Sequence, residues 1–521
     1  MTSDMHPRRI GRVDDITRTG YVPRPEEVLH TTAPRDIYKD EGYDGDIPVI
    51  TGDGRQDWFA HHPLAIPEEF QPSVKSRSYD TAFLEANVPG PTYLELPFQH
   101  EIDDHLASRQ FKVLAISAYT WMIPWALKLA EKARRDYGVR EVWLGGYGVM
   151  TPEPRIRNLF DRLFWGYGEG LLRQAIGLPS IKPSEIKHPL LINESTYLSH
   201  KIKIGHLFWE RGCTQRCTFC ADPVYQPGGE PTFSIDSVRE VLQRYKDEGV
   251  VTVHLVNQDV RPFKKIGRQV IDLLHEVGLP FTMMTSFLAM TAKGDDGLKW
   301  LSDQGCTMAQ LGVESLDDTN LTKSLKTTNL NHIRKTVQTM DSLRIRMSAT
   351  YIICFEDDTP ESIDRAKTLL GDLGPIYTYF GIMQPMPGTP QYNDMFKRNL
   401  INDWDFRRWT SSYLVWKHPV IEPAEARQLV RDMDVAINTP QYNKRLRLEW
   451  ARINRMRERL KERELQGIHR ERQGALIDMR ARARVYYHPD SITTLPATEF
   501  IAQHGIGLGG GRLTAPAQGQ A

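Results

Sequence analysis

The pattern of apolar and polar positions changes its period at regular intervals along the chain. Lys112–Ser117 contains a short continuous apolar run, of the kind found in strands buried on both faces. The following segment, 122–136, has helical spacing, with Pro124 in its first turn and Gly138 as a stop. Glu141–Leu144 is again strand-like. This alternation predicts a parallel, doubly wound sheet with right-handed crossovers.

A second alternating series follows a proline-containing linker. Its candidate strands are 203–209, 251–257, 281–287, 308–313, 347–354 and 377–384. Helical patterns lie between them: one starts at the N-cap Ser234 and stops at Gly249, and another begins at Thr359-Pro360. Six strand–helix repeats predict a partial (βα)6 barrel of the TIM type, with its chemistry at the carboxyl ends of the strands.

The fold class is therefore α/β, with a Rossmann-like sheet, a partial barrel and a helical C-terminal extension. We predict the following segments: an N-terminal arm (1–47), a Rossmann-like domain (48–175), a linker (176–202), the barrel (203–390), a mostly helical extension (391–500) and a disordered tail (501–521). The extension contains a basic stretch, 441–484. Acids interspersed in it favour a solvated helix face over a surface for nucleic acid.

Composition excludes several classes of protein. The 521 residues include 66 Lys and Arg and 66 Asp and Glu, and the absence of net charge argues against a general attraction to nucleic acid or anionic membranes. No apolar run is long enough for a membrane span, and the N-terminus lacks the apolar stretch of a secretory signal. The five cysteines are too few for a disulfide framework. We therefore expect a globular, cytoplasmic protein.

Three of the five cysteines, Cys213, Cys217 and Cys220, lie within eight residues, on the predicted loop after the first barrel strand. Thiolates spaced Cys-x3-Cys-x2-Cys can bind three corners of a cubane [4Fe-4S] cluster and leave its fourth iron open. The alternative is a closed four-ligand zinc or cluster site, with Cys306, Cys354 or a histidine as the fourth ligand. Cys306 begins and Cys354 ends a strand pattern, which favours buried structural thiols.

This cysteine spacing, with the aromatic Phe219 before the last cysteine, resembles the motif of the radical S-adenosylmethionine (SAM) superfamily. The resemblance covers about 203–390. It implies that the open iron binds the amino and carboxylate groups of SAM. An electron from the cluster, supplied by a reductase or flavodoxin-type donor, would cleave SAM to a 5′-deoxyadenosyl radical. That radical would abstract a hydrogen atom from the substrate.

The same resemblance implies SAM-binding residues near the ends of later strands. Gln310–Ser315 resembles the fourth-strand segment, Ser348–Thr359 the fifth-strand segment beside adenine, and Met383–Pro390 the sixth-strand turn. In the fifth segment, Phe355–Thr359 replaces the usual glycine-rich turn. The residues implied to bind SAM are Phe219, Asn257, Gln258, Glu314, Ser348 and Gln384. The alternatives are an ion-paired rim carboxylate for Glu314 and a capped loop for Asn257 and Gln258.

The N-terminal half resembles the cobalamin-binding domain that precedes many radical SAM domains. The match in order and spacing involves Tyr93–Leu96, Val113–Ser117, Val142–Gly146, Thr151–Glu153 and Gly166–Glu169. Small residues after strands allow a flat corrinoid to approach the backbone. The residues implied to bind cobalamin are Ser117, Tyr119, Thr120, Gly145, Gly146 and Glu169. The Asp-x-His-x-x-Gly motif, whose histidine ligates cobalt, is missing, and His105 is expected on a helix surface. The alternative is therefore a vestigial domain that binds no corrinoid.

Together the resemblances imply a cobalamin-dependent radical SAM methyltransferase, acting on an unactivated carbon of a small molecule or biosynthetic intermediate. A second hypothesis keeps the radical chemistry but ends in a cyclisation, a rearrangement or another non-methylating step. A methylthiotransferase would need a second cluster, and no cysteine precedes Cys213. A non-catalytic iron–sulfur module fits poorly with six barrel repeats around the cysteines.

Overall fold

The computed structural model describes residues 20–34, 37, 49–50, 56–57, 73–75, 78–197, 200–226, 233–326 and 328–438. Most of the predicted arm, the basic stretch 441–484 and the predicted tail lie outside the described residues.

The described strands form three sheets. They are β1 (Val28–Thr32), β2 (Val49–Ile50), β3 (Gln56–Asp57), β4 (Ser73–Lys75), β5 (Thr92–Leu94), β6 (Val113–Ser117), β7 (Glu141–Gly145), β8 (Arg162–Leu163), β9 (Ile192–Tyr197), β10 (His200–Leu207), β11 (Thr252–Leu255), β12 (Phe281–Thr285), β13 (Cys306–Glu314), β14 (Arg346–Ile353) and β15 (Tyr377–Ile382). The α-helices are α1 (Tyr79–Asn87), α2 (Gln99–Ala107), α3 (Ile123–Tyr137), α4 (Ile156–Leu159), α5 (Gly168–Ala175), α6 (Asp222–Tyr225), α7 (Ile235–Asp247), α8 (Lys265–Val277), α9 (Phe287–Met290), α10 (Gly294–Asp303), α11 (Asp318–Lys323), α12 (Leu330–Ser342), α13 (Pro360–Leu373), α14 (Pro390–Lys397) and α15 (Pro423–Asn438).

The first sheet is parallel throughout and has the order β5-β1-β6-β7-β8. Strand β6 is buried on both sides, as its apolar run predicts. Leu114 and Ile116 pack with α2 and α3, whereas Val113 and Ala115 pack with α1 and α5 on the other face. Helix α3 ends at Gly138, whose φ of +68° is a conformation that glycine adopts without strain.

Strand β1 lies inside this sheet, which corrects the prediction of an arm over residues 1–47. All five of its residues are buried. The segment reads Val-Leu-His-Thr-Thr, so polar residues interrupt the apolar run and no period marks it as a strand. At the predicted start of the Rossmann-like domain, β2 instead pairs antiparallel with β3 in a separate two-stranded sheet.

The second sheet contains eight strands in the order β15-β14-β13-β12-β11-β10-β9-β4. Strands β10 to β15 are all parallel, stand in chain order and are joined through helices, so all six predicted barrel strands are present. Strands β9 and β4 extend this sheet with antiparallel pairs, and β9 comes from the predicted linker 176–202.

Helix α7 shows why the elements of the second sheet pack closely. Its N-cap is Ser234, as predicted, and the four residues predicted to share its apolar face are all buried. Tyr245 from this face lies on Gly205 of β10, where a Cβ would be 2.8 Å from the tyrosine ring. The Tyr245 hydroxyl then donates to the backbone oxygen of His206 at 2.6 Å.

The described part of the C-terminal extension packs against the second sheet. Trp409 and Trp416 are buried in the same apolar cluster as the barrel strands, and the Trp416 Nε1 donates to the backbone oxygen of Met383 at 3.1 Å. Among the described helices, none combines the length and apolar character needed to cross a bilayer.

Candidate active site

The three clustered cysteines lie on the loop that follows β10, at the carboxyl end of the second sheet. This loop is hydrogen-bonded to two neighbouring loops, one after β11 and one after α11. The backbone N–H of Gly212, a residue with φ +75°, donates to Gln258 Oε1 at 3.1 Å after β11. The backbone N–H of Thr218 donates to the Ser324 oxygen at 3.2 Å after α11. The polypeptide around the thiols is thus held from both sides.

The thiols are free and half-buried. Burial raises the pKa of Cys213 to about 12 and also raises that of Cys217, while burial and the Asp222 carboxylate raise the pKa of Cys220 well above its usual value. The thiols therefore carry protons that iron binding would release. In the described part of the chain, no three His, Cys, Asp or Glu side chains converge on one point that could hold a metal ion. A cubane has a different requirement, because each thiolate binds a separate iron.

The two remaining cysteines, Cys306 and Cys354, are buried members of the apolar core of the second sheet. Burial raises the pKa of Cys354 further above its usual value.

Five of the six residues implied to bind SAM lie at or just beyond the carboxyl ends of the strands of the second sheet, which we call the mouth, whereas Ser348 lies near the start of β14. Phe219 packs edge-on against Phe355, with ring centroids 6.0 Å apart. Asn257 accepts from the backbone N–H of Trp209 at 3.2 Å, and Gln384 accepts from the Ser411 hydroxyl at 3.2 Å. Gln258 is the acceptor for the cysteine loop described above. Ser348 is buried within β14 and pairs with Gln310, which in turn pairs with Met284 near the end of β12.

Two of these side chains have N–H groups without a hydrogen-bond acceptor among the described residues. Asn257 Nδ2 and Gln384 Nε2 are buried and have no hydrogen-bond partner among the described residues. Leaving such a donor unpaired costs about 1–3 kcal/mol. The mouth is therefore matched to a ligand that carries hydrogen-bond acceptors.

Glu314 is ion-paired with Lys326, and its contact with SAM stays a prediction. Its Oε1 accepts from Lys326 Nζ at 3.2 Å, and its Oε2 accepts from the Thr350 hydroxyl at 3.3 Å. Glu314 has φ +60° and stands at a register shift between β13 and β14. A Cβ on Gly312 would lie 2.4 Å from Glu314 Oε1, so the glycine leaves room for the carboxylate. Lys326 is not among the residues predicted from the sequence.

A cavity of about 230 Å³ lies between the first sheet and the cysteine loop. Five of the six residues implied to bind cobalamin line it: Ser117, Tyr119, Gly145, Gly146 and Glu169. Thr120 does not line it and is buried at the start of a short 3-10 turn. His105 lies in α2, where its Nδ1 donates to the backbone oxygen of Glu101 at 2.8 Å, and it does not line the cavity either.

The cavity combines apolar walls with a few polar atoms. His30 Nδ1, the Tyr167 hydroxyl and Glu169 Oε2 are buried without a hydrogen-bond partner among the described residues. Burial lowers the pKa of His30 to about 4, so this side chain is neutral at pH 7. Burial also raises the pKa of Asp80, whose carboxylate accepts from the Ser117 hydroxyl at 3.4 Å.

Arg211 connects the cavity with the cysteine loop. It lines the cavity, stands two residues before Cys213 and pairs with Glu169 Oε1 at 2.7 Å. Its guanidinium also lies 4.1 Å from the ring centroid of Phe83 on α1. The short distance to the cysteine motif could have drawn attention to Arg211, whereas no sequence signal marked His30.

Tyrosines from both sheets form a second connection. The Tyr147 and Tyr225 rings are 4.4 Å apart, and Tyr119 stacks on Tyr147 at 5.7 Å. The Tyr147 hydroxyl donates to Asp222, which follows the last clustered cysteine by two residues.

Residues 210–370 match the radical SAM superfamily. The chain is 19% identical over 314 residues to the bacteriochlorophyllide d C-12(1)-methyltransferase of Chlorobaculum tepidum, a match covering 57% of this chain and 68% of the relative. It is 22% identical over 364 residues to the bacteriochlorophyllide d C-8(2)-methyltransferase of the same organism, covering 64% of this chain and 79% of the relative.

Two solved structures share the fold over most of the chain. The cobalamin-dependent SAM radical enzyme OxsB, with aqua-cobalamin and SAM bound, aligns with a TM-score of 0.53 and 11% identity, over 93% of this chain and 75% of that one. The radical SAM methyltransferase TsrM from Kitasatospora setae, with cobalamin and a [4Fe-4S] cluster bound, aligns with a TM-score of 0.50 and 12% identity, over 86% and 99%. With its three clustered cysteines inside residues 210–370, the chain contains a domain that matches the radical SAM superfamily.

Proposed function

We propose that this radical SAM enzyme is a cobalamin-dependent C-methyltransferase that acts on an unactivated carbon of a small molecule or biosynthetic intermediate. The observation that carries the proposal is the shared cavity. Ser117 and Gly145, at the carboxyl edge of the first sheet, line the same space as Arg211 and Gln258 from the mouth of the second sheet. Groups bound by the two sheets would therefore face each other. The methyltransferase relatives support the same reaction class.

The strand orders support a finer description of the fold. The first sheet has the order second, first, third, fourth, fifth, with helices on both faces, which is an order of doubly wound, Rossmann-like sheets. Such sheets bind ligands beyond the carboxyl ends of their strands, where the order reverses. Strands β10 to β15 correspond to a partial (βα)6 barrel. We keep the proposed domain limits at 175, 203 and 390, and add β1 to the first domain.

The cysteine loop fits a [4Fe-4S] cluster, with Cys213, Cys217 and Cys220 as its thiolate ligands. When bound, the cluster supplies the electron that cleaves SAM to a 5′-deoxyadenosyl radical. The unpaired donors of Asn257 and Gln384 would bind acceptor atoms of SAM. A flavodoxin-type donor and a reducing cytoplasm would suit such a cluster.

The cavity fits a corrinoid through its unpaired polar atoms and its small edge residues. Cobalamin supplies the methyl group when bound. Gly145 and Gly146 would leave room for it at the sheet edge, and Glu169 and Tyr167 offer hydrogen bonds. His30 lies two residues, or about 6.6 Å, before the end of β1. We therefore expect His30 to contact the nucleotide tail of a bound cobalamin and not its macrocycle.

The proposal is tested by anaerobic reconstitution with iron and sulfide, followed by incubation with SAM, a reductant, methylcobalamin and candidate substrates. Deoxyadenosine together with S-adenosylhomocysteine and a substrate 14 mass units heavier, the mass of one CH₂ group, would support methyl transfer. Deoxyadenosine with an altered but unmethylated product would replace it by the cyclisation or rearrangement hypothesis. Ultraviolet–visible spectra of the purified protein show separately whether a corrinoid binds, and a protein that binds none would contradict the proposal.

A further inference from the structure

We propose that Gln215 and Asp259 are positioning residues for the cluster. The Asp259 carboxylate holds the Gln215 side chain, and this keeps the Gln215 backbone N–H in a hydrogen bond to the sulfur of Cys213. The inference rests on the proposed [4Fe-4S] cluster and is independent of cobalamin.

The hydrogen bond to the sulfur comes from within the cysteine loop. The backbone N–H of Gln215 donates to Cys213 Sγ at 3.3 Å. The neighbouring residues Thr214 and Arg216 are exposed, whereas Gln215 is half-buried. The loop therefore directs the Gln215 side chain into the protein while the N–H of the same residue faces the thiol.

The Asp259 carboxylate fixes that side chain. Asp259 follows β11 and is only 7% exposed. Its Oδ2 accepts from Gln215 Nε2 at 3.0 Å, and its Oδ1 accepts from the backbone N–H of Ser286, the N-cap of α9, at 2.9 Å. Hydrogen bonds to a charged group are about twice as strong as those between neutral groups. The turn after β12 thus holds the carboxylate, and the carboxylate holds Gln215.

The part of the chain before Cys213 is held independently of Gln215. Three further contacts join it to the segment 257–261, which also carries Asp259. They are the Asn257 side chain with the Trp209 N–H at 3.2 Å, the Gln258 side chain with the Gly212 N–H at 3.1 Å, and the ion pair between Arg261 and Glu210. Asp259 instead reaches Gln215, on the other side of Cys213. A substitution at 215 should therefore leave these three contacts in place and change only the position of the Gln215 N–H.

This N–H has a definite effect on a cluster bound by the three cysteines. Reduction adds one negative charge, with the electron coming from the chemical titrant, and hydrogen bonds to the sulfurs are among the determinants of the reduction potential. A hydrogen bond donated to a thiolate sulfur stabilises the more negative, reduced state more than the oxidised one. Loss of the contact between Asp259 and Gln215 should therefore make the cluster harder to reduce.

The experiment is an anaerobic redox titration of the reconstituted full chain, without SAM, monitored by electron paramagnetic resonance. Gln215→Met keeps an unbranched side chain but cannot donate to Asp259. We expect it to make reduction harder by about threefold in the equilibrium constant, which is about 28 mV for one electron. Gln243→Met is the matched control, because Gln243 Nε2 also donates to an aspartate, Asp247, at 3.0 Å, but on the exposed side of α7. Its potential should equal that of the wild type.

A double variant separates the hydrogen bond from the charge. Gln215→Glu together with Asp259→Asn exchanges donor and acceptor, because the new amide N–H donates to the new carboxylate while the amide oxygen keeps the Ser286 N–H. This double variant has the same net charge as the wild type and as Gln215→Met. We expect it to show the wild-type potential, since it re-forms the contact that Gln215→Met lacks.

A wild-type potential in Gln215→Met, or equal potentials in Gln215→Met and the double variant, would overturn the proposal. If Gln215→Met does not load iron, the double variant and Gln215→Glu decide. We expect the wild-type potential in the first and harder reduction in the second, where two carboxylates face each other, and any other pair of results refutes the idea. Iron loading of the wild type tests the cluster assignment itself, so the two failures are distinguishable.

Discussion

The mouth of the second sheet and the cavity of the first sheet are built from different kinds of groups. The mouth presents three thiols and the partly buried ion pair Lys326–Glu314. The pair is ionic, and the thiols become ionic on binding iron. The cavity presents apolar walls, the neutral His30 and a few unpaired polar atoms, and two of its buried charges, Arg211 and Glu169, are paired with each other. The first arrangement suits an iron–sulfur cluster and zwitterionic SAM. The second suits a large group that is recognised mainly by shape and hydrogen bonds.

The largest effect is expected at the mouth. Cys217→Ala should abolish cluster binding, because two thiolates cannot hold three corners of the cubane, and deoxyadenosine formation should fall below detection. The measurement is the iron and sulfide content after reconstitution, together with deoxyadenosine assayed by mass spectrometry. Cys306→Ala serves as the control, since this thiol lies in the apolar core, and it should keep full iron loading. Iron retained by Cys217→Ala at the wild-type level would contradict the assignment of the mouth.

Arg211, which lies next to the cysteine loop, pairs with Glu169 in the cavity, and substitutions of these two residues test how much this ion pair stabilises the protein. Arg211→Met leaves Glu169 as an unpaired buried charge, which destabilises by about 3–5 kcal/mol. The double variant with Glu169→Met should recover most of this loss, because it removes both charges. Denaturant unfolding of the three proteins measures the effect. If the double variant is no more stable than Arg211→Met, the loss comes from the packing of Arg211 against Phe83 and not from the ion pair.

Acidification should affect the second sheet more than the first. Burial lowers the pKa of His30 in the first sheet to about 4, and that of His206 and His254 in the second sheet to about 3 and about 4. The unfolded pKa is about 6.5, so between pH 6.5 and 4 the folded chain binds fewer protons than the unfolded chain. The contribution of these histidines to the unfolding free energy is therefore complete above pH 6.5. It decreases as the pH falls from 6.5 to 4.

Hydrogen exchange, corrected for intrinsic rates, can follow this loss separately in β6 and β11. We expect protection in β11 to fall more than in β6 between pH 6.5 and 4.5. Equal losses in the two sheets would show that the buried histidines do not control their acid stability.

The smallest effect tests how the cavity recognises its ligand. His30→Leu keeps much of the side-chain volume but removes the unpaired nitrogen, and should weaken binding of cobalamin about tenfold, the loss of one hydrogen bond. Cobinamide, which lacks the nucleotide tail, should bind wild type and variant equally. Absorbance titrations of the apo-protein measure both affinities. A similar loss for both corrinoids would place His30 against the macrocycle, contrary to the proposal.

The six parallel strands of the second sheet could be predicted from sequence because their apolar runs are separated by helices with recognisable ends, whereas the antiparallel strands β4 and β9 were not predicted. The interior strand β1 could not be predicted, because His30 and two threonines interrupt the apolar run that would mark a buried strand. The cysteine site was predictable from short-range spacing. Lys326 was not, since its contact with Glu314 depends on the register shift at the end of β13. The pairing of Arg211 with Glu169 likewise depends on how the two sheets meet.

The position of β1 has a consequence for how the chain is made. This strand is synthesised before both of its partners in the sheet, β5 and β6, which come from residues 92–117. Both edges of β1 therefore stay open on the ribosome until those residues emerge, and open strand edges invite association with other chains. A protein shortened past Val28 would leave a gap one strand wide, about 9–10 Å, between β5 and β6. Strand β1 is thus required for the first sheet to form without a gap.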